Sequence, residues 1–173
     1  MAHRMLNPSE LAAPKGSSHA VLSDAGGKVL AISGQFGWDS NGKMVGEDVG
    51  GQFKQALKNL ASILRNAGGA PDSLLRLNIY ITNRDEYLKA IESIGKEYKL
   101  FIGRHVPAMT LIVVKDLLEA GAKVCIEGLA VLPEKAGAVE FQRHGQGVAM
   151  PDAGLRGAGG GGGGRPPPGG IRR

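Results

Sequence analysis

The sequence predicts an α+β domain in which two helices cover one face of a single β-sheet. Three observations carry this expectation. Apolar patterns of period two and period 3.6 follow one another in the order strand, strand, helix, strand, helix, strand, strand. Each helical pattern is inserted between strands, and right-handed crossovers then put both helices on the same side of the sheet. The apolar residues left on the opposite side have nothing further in the chain to cover them, so copies of the protein are expected to associate over that face.

His19-Ala-Val-Leu22 and Lys28-Val-Leu-Ala-Ile-Ser33 are short apolar runs separated by the turn residues Asp24-Ala-Gly-Gly27, which predicts a hairpin. The second run closes at Gly34 and the polar stretch Asp39-Ser-Asn-Gly42. From Asp48 the period changes. Val49, Phe53, Leu57, Leu60, Leu64 and Ala67 recur every three or four residues, with Lys54, Lys58, Asn59 and Arg65 mostly opposite. This is an amphipathic helix with acidic capping at its start and a stop at Gly68-Gly69. Leu75, Leu77, Ile79 and Ile81 then alternate with Arg76, Asn78 and Tyr80, as in a strand with one buried face. Asn83-Arg-Asp-Glu86 reads as a capping box, and Tyr87, Ile91, Ile94 and Tyr98 follow along one face of a second helix that Gly95 weakens. Beyond Gly103 and Pro107 come two β-rich runs, Met109 to Val114 and Lys123 to Leu132, the latter ended by Pro133. The uncovered sheet face is expected to carry Leu30, Ile32, Leu111, Val113 and one side of the last strand.

Composition sets the limits. The 173 residues are 42% hydrophobic, which supplies one core and excludes a wholly disordered chain. Thirteen of the 28 glycines lie after Pro133, including the run Gly159 to Gly164 before Arg165-Pro-Pro-Pro. Glycine loses the most backbone entropy on ordering, and this segment has few apolar side chains to offset it. The expected organisation is an N-terminal extension over 1–14, a folded domain over 15–133 and a disordered Gly/Pro/Arg-rich tail over 134–173. The formal charge of +5 divides into +2 before the tail and +3 within it, so basicity does not mark the folded part as a nucleic-acid binder. No apolar run approaches the roughly 18 residues of a membrane span, and the first residues lack the apolar stretch of a secretory signal. A cytoplasmic protein with no membrane partner is therefore expected. Cys125 is the only cysteine, which leaves no internal disulfide and no cysteine-based metal cluster within one chain. No metal and no cofactor are called for.

Four segments occur in order at suitable spacings: Ile32-Ser-Gly-Gln35, the helix Gln55-Ala-Leu-Lys-Asn-Leu-Ala-Ser-Ile-Leu-Arg-Asn-Ala-Gly68, Pro107-Ala-Met-Thr110 and Cys125-Ile-Glu-Gly-Leu-Ala130. Together they resemble the Rid/YjgF family of reactive-intermediate (enamine/imine) deaminases, which includes members called endoribonuclease L-PSP. The resemblance spans about Lys15 to Pro133. It implies a chorismate-mutase-like α+β fold, a homotrimer, and small-molecule ligands held in clefts between subunits. It also implies hydrolysis of 2-imino acids, which form from the enamines that pyridoxal-phosphate dehydratases release. In the family pattern an arginine after Pro-Ala clamps the substrate carboxylate, since a guanidinium fork matches a carboxylate in two parallel hydrogen bonds. A glutamate in the last strand positions or activates water, a role suited to a carboxylate beside an imine carbon.

This sequence keeps the glutamate as Glu127 and replaces the arginine by Met109, which has neither charge nor donor. Glu127 is the catalytic candidate; it shares a strand face with Cys125, Leu129 and Val131, and a carboxylate among apolar neighbours is costly unless paired or functional. A polar contact between subunits is the alternative for it. Ser33, Gly34, Gln35, Met109, Thr110 and Ser18 are the substrate-binding candidates, Ser18 standing where many members carry the tyrosine of a Gly-Pro-Tyr motif. Each has a plainer reading too: Gly34 as a turn residue, Gln35 as a tie within its loop, Thr110 as a β-former. Arg104 and His105 are the cations nearest Pro107, and a solvated loop is their commoner fate. His19 reads as a strand-edge residue, Cys125 as a small buried filler, and Tyr80, Tyr87 and Tyr98 as packing.

Three functions follow. The favoured one is hydrolytic deamination of an enamine or imine, with a less acidic or more apolar substrate because Met109 replaces the clamp. The second is a non-catalytic trimeric small-molecule-binding or accessory protein. Ribonuclease or translation-inhibitor activity ranks last, because the sequence offers no His/His or His/Lys pair placed for RNA cleavage and no basic stripe with aromatics for RNA binding.

Overall fold

The order of the chain is resolved in a computed structural model that describes residues 3–134 apart from 13, 15–17 and 24–25. The tail predicted over 134–173 lies outside the described residues from 135 onward. The elements are β1 (His3–Leu6), β2 (Ala20–Ser23), β3 (Gly27–Gln35), α1 (Val49–Asn66), a single 3-10 turn (Pro71–Ser73), β4 (Leu74–Ile81), α2 (Arg84–Lys89), α3 (Ile91–Phe101), β5 (Ala108–Val113) and β6 (Val124–Pro133).

The main sheet has the order β3-β6-β4-β5, in which β4 and β5 are parallel and β6 runs antiparallel to both β3 and β4. The fold is thus α+β with one mixed sheet, as expected. Among the described residues the expected hairpin is not formed: β2 pairs with β1, and β3 pairs with β6, almost a hundred positions along the chain. Local turn chemistry was outweighed by the apolar surface that β3 and β6 bury together.

Helix α1 forms because its apolar positions share one face and its ends are specified. Asp48 caps it, its side chain accepting from the Gly51 N–H at 2.7 Å. Gly68 closes it at φ 78°, a conformation that other residues adopt only with strain. Phe53, Leu57, Leu60 and Leu64 are buried against Leu74, Leu77, Ile81 and Ile126 of the sheet. The same face receives Ile94 of α3, so both crossovers lie on one side.

The second helix departs from its expected form. It is two helices that meet at Ala90, and Ile91 is exposed while Ile94 is buried; Ala90, Tyr87 and Tyr98 pack on the core instead. Asn83 caps α2 by accepting from the N–H groups of Asp85 and Glu86. Glu86 does not complete a capping box, because its carboxylate pairs with Lys123 Nζ at 2.7 Å. Gln52 is fully buried in α1. Its Nε2 donates to the carbonyls of Gly46 and Gly121, and its Oε1 accepts from the Lys123 N–H, which ties the helix to two loops.

The faces of the sheet are also reassigned. Leu30 and Ile32 turn toward the helices, as do Leu111 and Val113 by their register with Ile79 and Ile81. The open face carries Val29, Ala31, Tyr80, Ile112, Glu127 and Leu129, with Val29 70% exposed. In β4, an irregularity in the pairing with β6 between Leu74 and Arg76 makes Leu74, not Leu75, the buried residue.

Candidate active site

Glu127 projects from the middle of β6 onto the open face. Across one edge its neighbour is Asn78 of β4, and Asn78 in turn pairs with Thr110 of β5, so the three form a row across three strands. Across the other edge the ladder with β3 is broken. Ile32 pairs with Gly128 and Gln35 with Ile126, which leaves Ser33 and Gly34 together opposite Glu127. Two residues facing one is a β-bulge, and it crowds the β3 backbone toward β6 at this point. A Cβ on Gly34 would lie 2.6 Å from Cys125 Sγ. Glycine is therefore required here by close approach rather than by a turn.

The Glu127 carboxylate accepts two hydrogen bonds on one oxygen. Asn78 Nδ2 donates to Oε1 at 2.6 Å and Tyr80 Oη at 3.0 Å. Among the described residues Oε2 has no donor. The hydrogen bond to Glu127 holds the Tyr80 proton and moves that phenol above its ordinary pKa, helped by desolvation. Arg76 lies two positions before Asn78 on the same face, and its Nε donates to Asn78 Oδ1 at 2.9 Å. Arg76, Asn78 and Glu127 line a recess of about 290 Å³, together with Ala31, Gly128 and Leu129. Among the described residues no group of three or more His, Cys, Asp or Glu side chains is placed to hold a metal ion.

The sequence candidates divide. Glu127, Thr110, Ser33 and Gly34 come together around the row and the bulge. Gln35 turns its side-chain amide onto the Ser33 carbonyl at 3.0 Å, tying its own loop. Met109 lies in register with Leu77 and packs on the helix side of the sheet, on the opposite face from Glu127. Ser18 is buried and donates to the Val106 carbonyl at 3.1 Å, beside the entry to β5. His105 is held on the Leu74 carbonyl at 2.6 Å and His19 on that of Ala12 at 2.8 Å. Cys125 is buried, and burial, with a smaller contribution from the Glu127 charge, pushes its thiol up to about 11. A protonated buried thiol fits a packing role. Tyr87 and Tyr98 pack on the core; burial raises both phenols, that of Tyr98 to about 12.

Two expectations are corrected. Tyr80 is no packing residue but a donor to the carboxylate. The expectation of an acid without a guanidinium holds for Pro107-Ala-Met109 but not for the recess, where Arg76 stands. Arg76 and Asn78 showed in the sequence only as the polar half of an alternating strand. The position of Asn78 opposite Glu127, and of Arg76 opposite the neighbouring Leu129, was hidden because register between distant strands leaves no local trace.

The endoribonuclease L-PSP family profile matches residues 9–132, and the chain belongs to this family, that of the Rid/YjgF proteins. The rat 2-iminobutanoate/2-iminopropanoate deaminase is 31% identical over 115 residues, covering 66% of this chain and 78% of its own. Protein mmf1, mitochondrial, of Schizosaccharomyces pombe is 29% identical over 133 residues, 75% of this chain and 79% of its own. Among solved structures, the Rid-family protein YyfB of Yersinia pestis, itself of unknown function, superposes with a TM-score of 0.67 at 34% identity, covering 76% of this chain and 100% of its own. RidA of a Psychrobacter species superposes with a TM-score of 0.53 at 25% identity, covering 70% and 92%. Among the described residues no helix is long and apolar enough to cross a membrane.

Proposed function

We propose that this protein hydrolyses a reactive enamine or imine at the recess around Glu127, as a homotrimer whose ligand clefts lie between subunits. The observation that carries this reading is the posture of Glu127, a residue lining the recess, whose Oε1 is held by Asn78 and Tyr80 while Oε2 has no donor among the described residues. A carboxylate fixed through one oxygen keeps the other directed, which is what a base that aligns water against an imine carbon requires. The names of the deaminases to which the chain is similar support the reaction class. The exposed apolar residues Val29, Ile112 and Leu129 support association over the sheet. Met109 leaves the family's arginine position without a donor, which supports a substrate held differently from an ordinary 2-imino acid.

The test generates 2-iminobutanoate in situ and follows 2-oxobutanoate and ammonia. Wild type is expected to accelerate hydrolysis, and Glu127→Ala to lose about 100-fold or more of that acceleration. Met109→Arg, which returns the family's cation to the other face of the same chain's sheet, is expected to raise turnover only where a neighbouring subunit brings position 109 into the cleft. Equal rates for wild type and Glu127→Ala would refute the assignment. Ligand binding without turnover in any variant would favour the sensor reading, to which the departure at Met109 also points.

A further inference from the structure

We propose that Arg76 is the anion seat of this site and binds the carboxylate of the imine substrate in place of position 109. The proposal rests on reading the recess as the place of imine hydrolysis, and it names the substrate class: a small imine that still carries a carboxylate.

Arg76 and Glu127 are opposite charges on adjoining strands, in one recess, yet they do not pair. Asn78 stands between them. Its Oδ1 accepts from Arg76 Nε at 2.9 Å and its Nδ2 donates to Glu127 Oε1 at 2.6 Å. The amide can bridge in only this orientation, because a cation needs the oxygen and a carboxylate needs the nitrogen. Asn78 thereby keeps the two charges from collapsing onto each other. Each retains an unused edge. Among the described residues the two terminal amino groups of Arg76 have no partner, and neither has Glu127 Oε2.

Those two amino groups are the pair of parallel donors that a carboxylate takes up bidentately. A recess that holds its own carboxylate repels an anionic substrate unless a cation stands beside it. Arg76 is that cation, exposed and already oriented through its Nε. A short imino acid seated on Arg76 reaches across one amide width to bring its imine carbon beside Glu127, with Ala31 and Leu129 as apolar walls for its side chain. Met109 cannot share this task within one chain, because it packs on the other side of the sheet.

The experiment is calorimetric titration of the full chain with 2-oxobutanoate, the keto acid left by hydrolysis, and with its uncharged amide. Arg76→Ala is expected to weaken the acid at least tenfold and the amide less than twofold, with Arg76→Lys between wild type and alanine for the acid. Asn78 is a positioning residue: in Asn78→Leu the freed guanidinium closes on Glu127, so acid binding falls as in Arg76→Ala while amide binding holds. Unchanged acid binding in Arg76→Ala overturns the proposal, as does a wild type that binds neither compound or prefers the amide. The readout needs no turnover. Arg76-dependent acid binding without imine hydrolysis would defeat the deaminase reading alone. Hydrolysis that needs Glu127 but survives Arg76→Ala unchanged would defeat the Arg76 assignment alone.

Discussion

Replacing Gly34 by alanine tests whether the bulge beside Glu127 is set by packing or by ligand contact. The added methyl would stand 2.6 Å from Cys125 Sγ, whereas carbon and sulfur atoms in contact sit nearer to about 4 Å. Either β3 retreats from β6 by about 1 Å or the thiol is forced out of its buried place. Overpacking of this kind costs about 1–3 kcal/mol. Cys125→Ala removes the clashing atom and keeps the Cβ, at a cost of its own of about 1 kcal/mol for the lost buried sulfur. The two changes together should therefore be no worse than Cys125→Ala alone, a coupling of about 1–3 kcal/mol that only residues in contact show. Urea denaturation of the four proteins measures it. Additive losses, or a neutral Gly34→Ala, would refute the packing argument. Turnover adds a second readout: full recovery in the double variant makes Gly34 a purely structural glycine, and recovered stability without turnover makes it a ligand contact.

Two further outcomes are expected. Gln52→Leu takes from the Gly46 and Gly121 carbonyls and the Lys123 N–H the partner that the buried amide gives them, and should cost about 2–4 kcal/mol, read as a lower urea midpoint at unchanged slope; a loss under about 1 kcal/mol would mean that water replaces the side chain. Cys125, with its thiol pushed from 9.0 to about 11, should react with iodoacetamide at pH 8 about 100-fold more slowly than an ordinary thiol until the chain is unfolded; prompt alkylation of the native protein would show that the sulfur is neither buried nor held protonated.

The elements that the sequence made legible are those specified within one segment. Phe53, Leu57, Leu60 and Leu64 declare α1 by spacing alone, and Asp48 and Gly68 mark its ends. The alternation of Leu77, Ile79 and Ile81 declares β4 equally well. Errors gathered where a second segment decides. Ile91 and Ala90 are adjacent and both fit a helical face, and only the position of the sheet shows which is covered. Leu74 and Leu75 are likewise interchangeable until the irregular pairing with β6 selects one. Glu127 was legible through the family pattern, but its partners were not.

The sequence by itself determined α1 and the strands from β2 onward, that the helices share one side of the sheet, and that a carboxylate sits in the last strand; β1 and the break between α2 and α3 it did not show. Only the tertiary structure decided that β6 lies between β3 and β4, that Ser33 and Gly34 bulge against Glu127, and that Arg76 and Asn78 stand beside that carboxylate. The reason is the range of the interactions. Period and caps act over a few residues, whereas strand order and register follow from the total apolar area buried by segments dozens of positions apart.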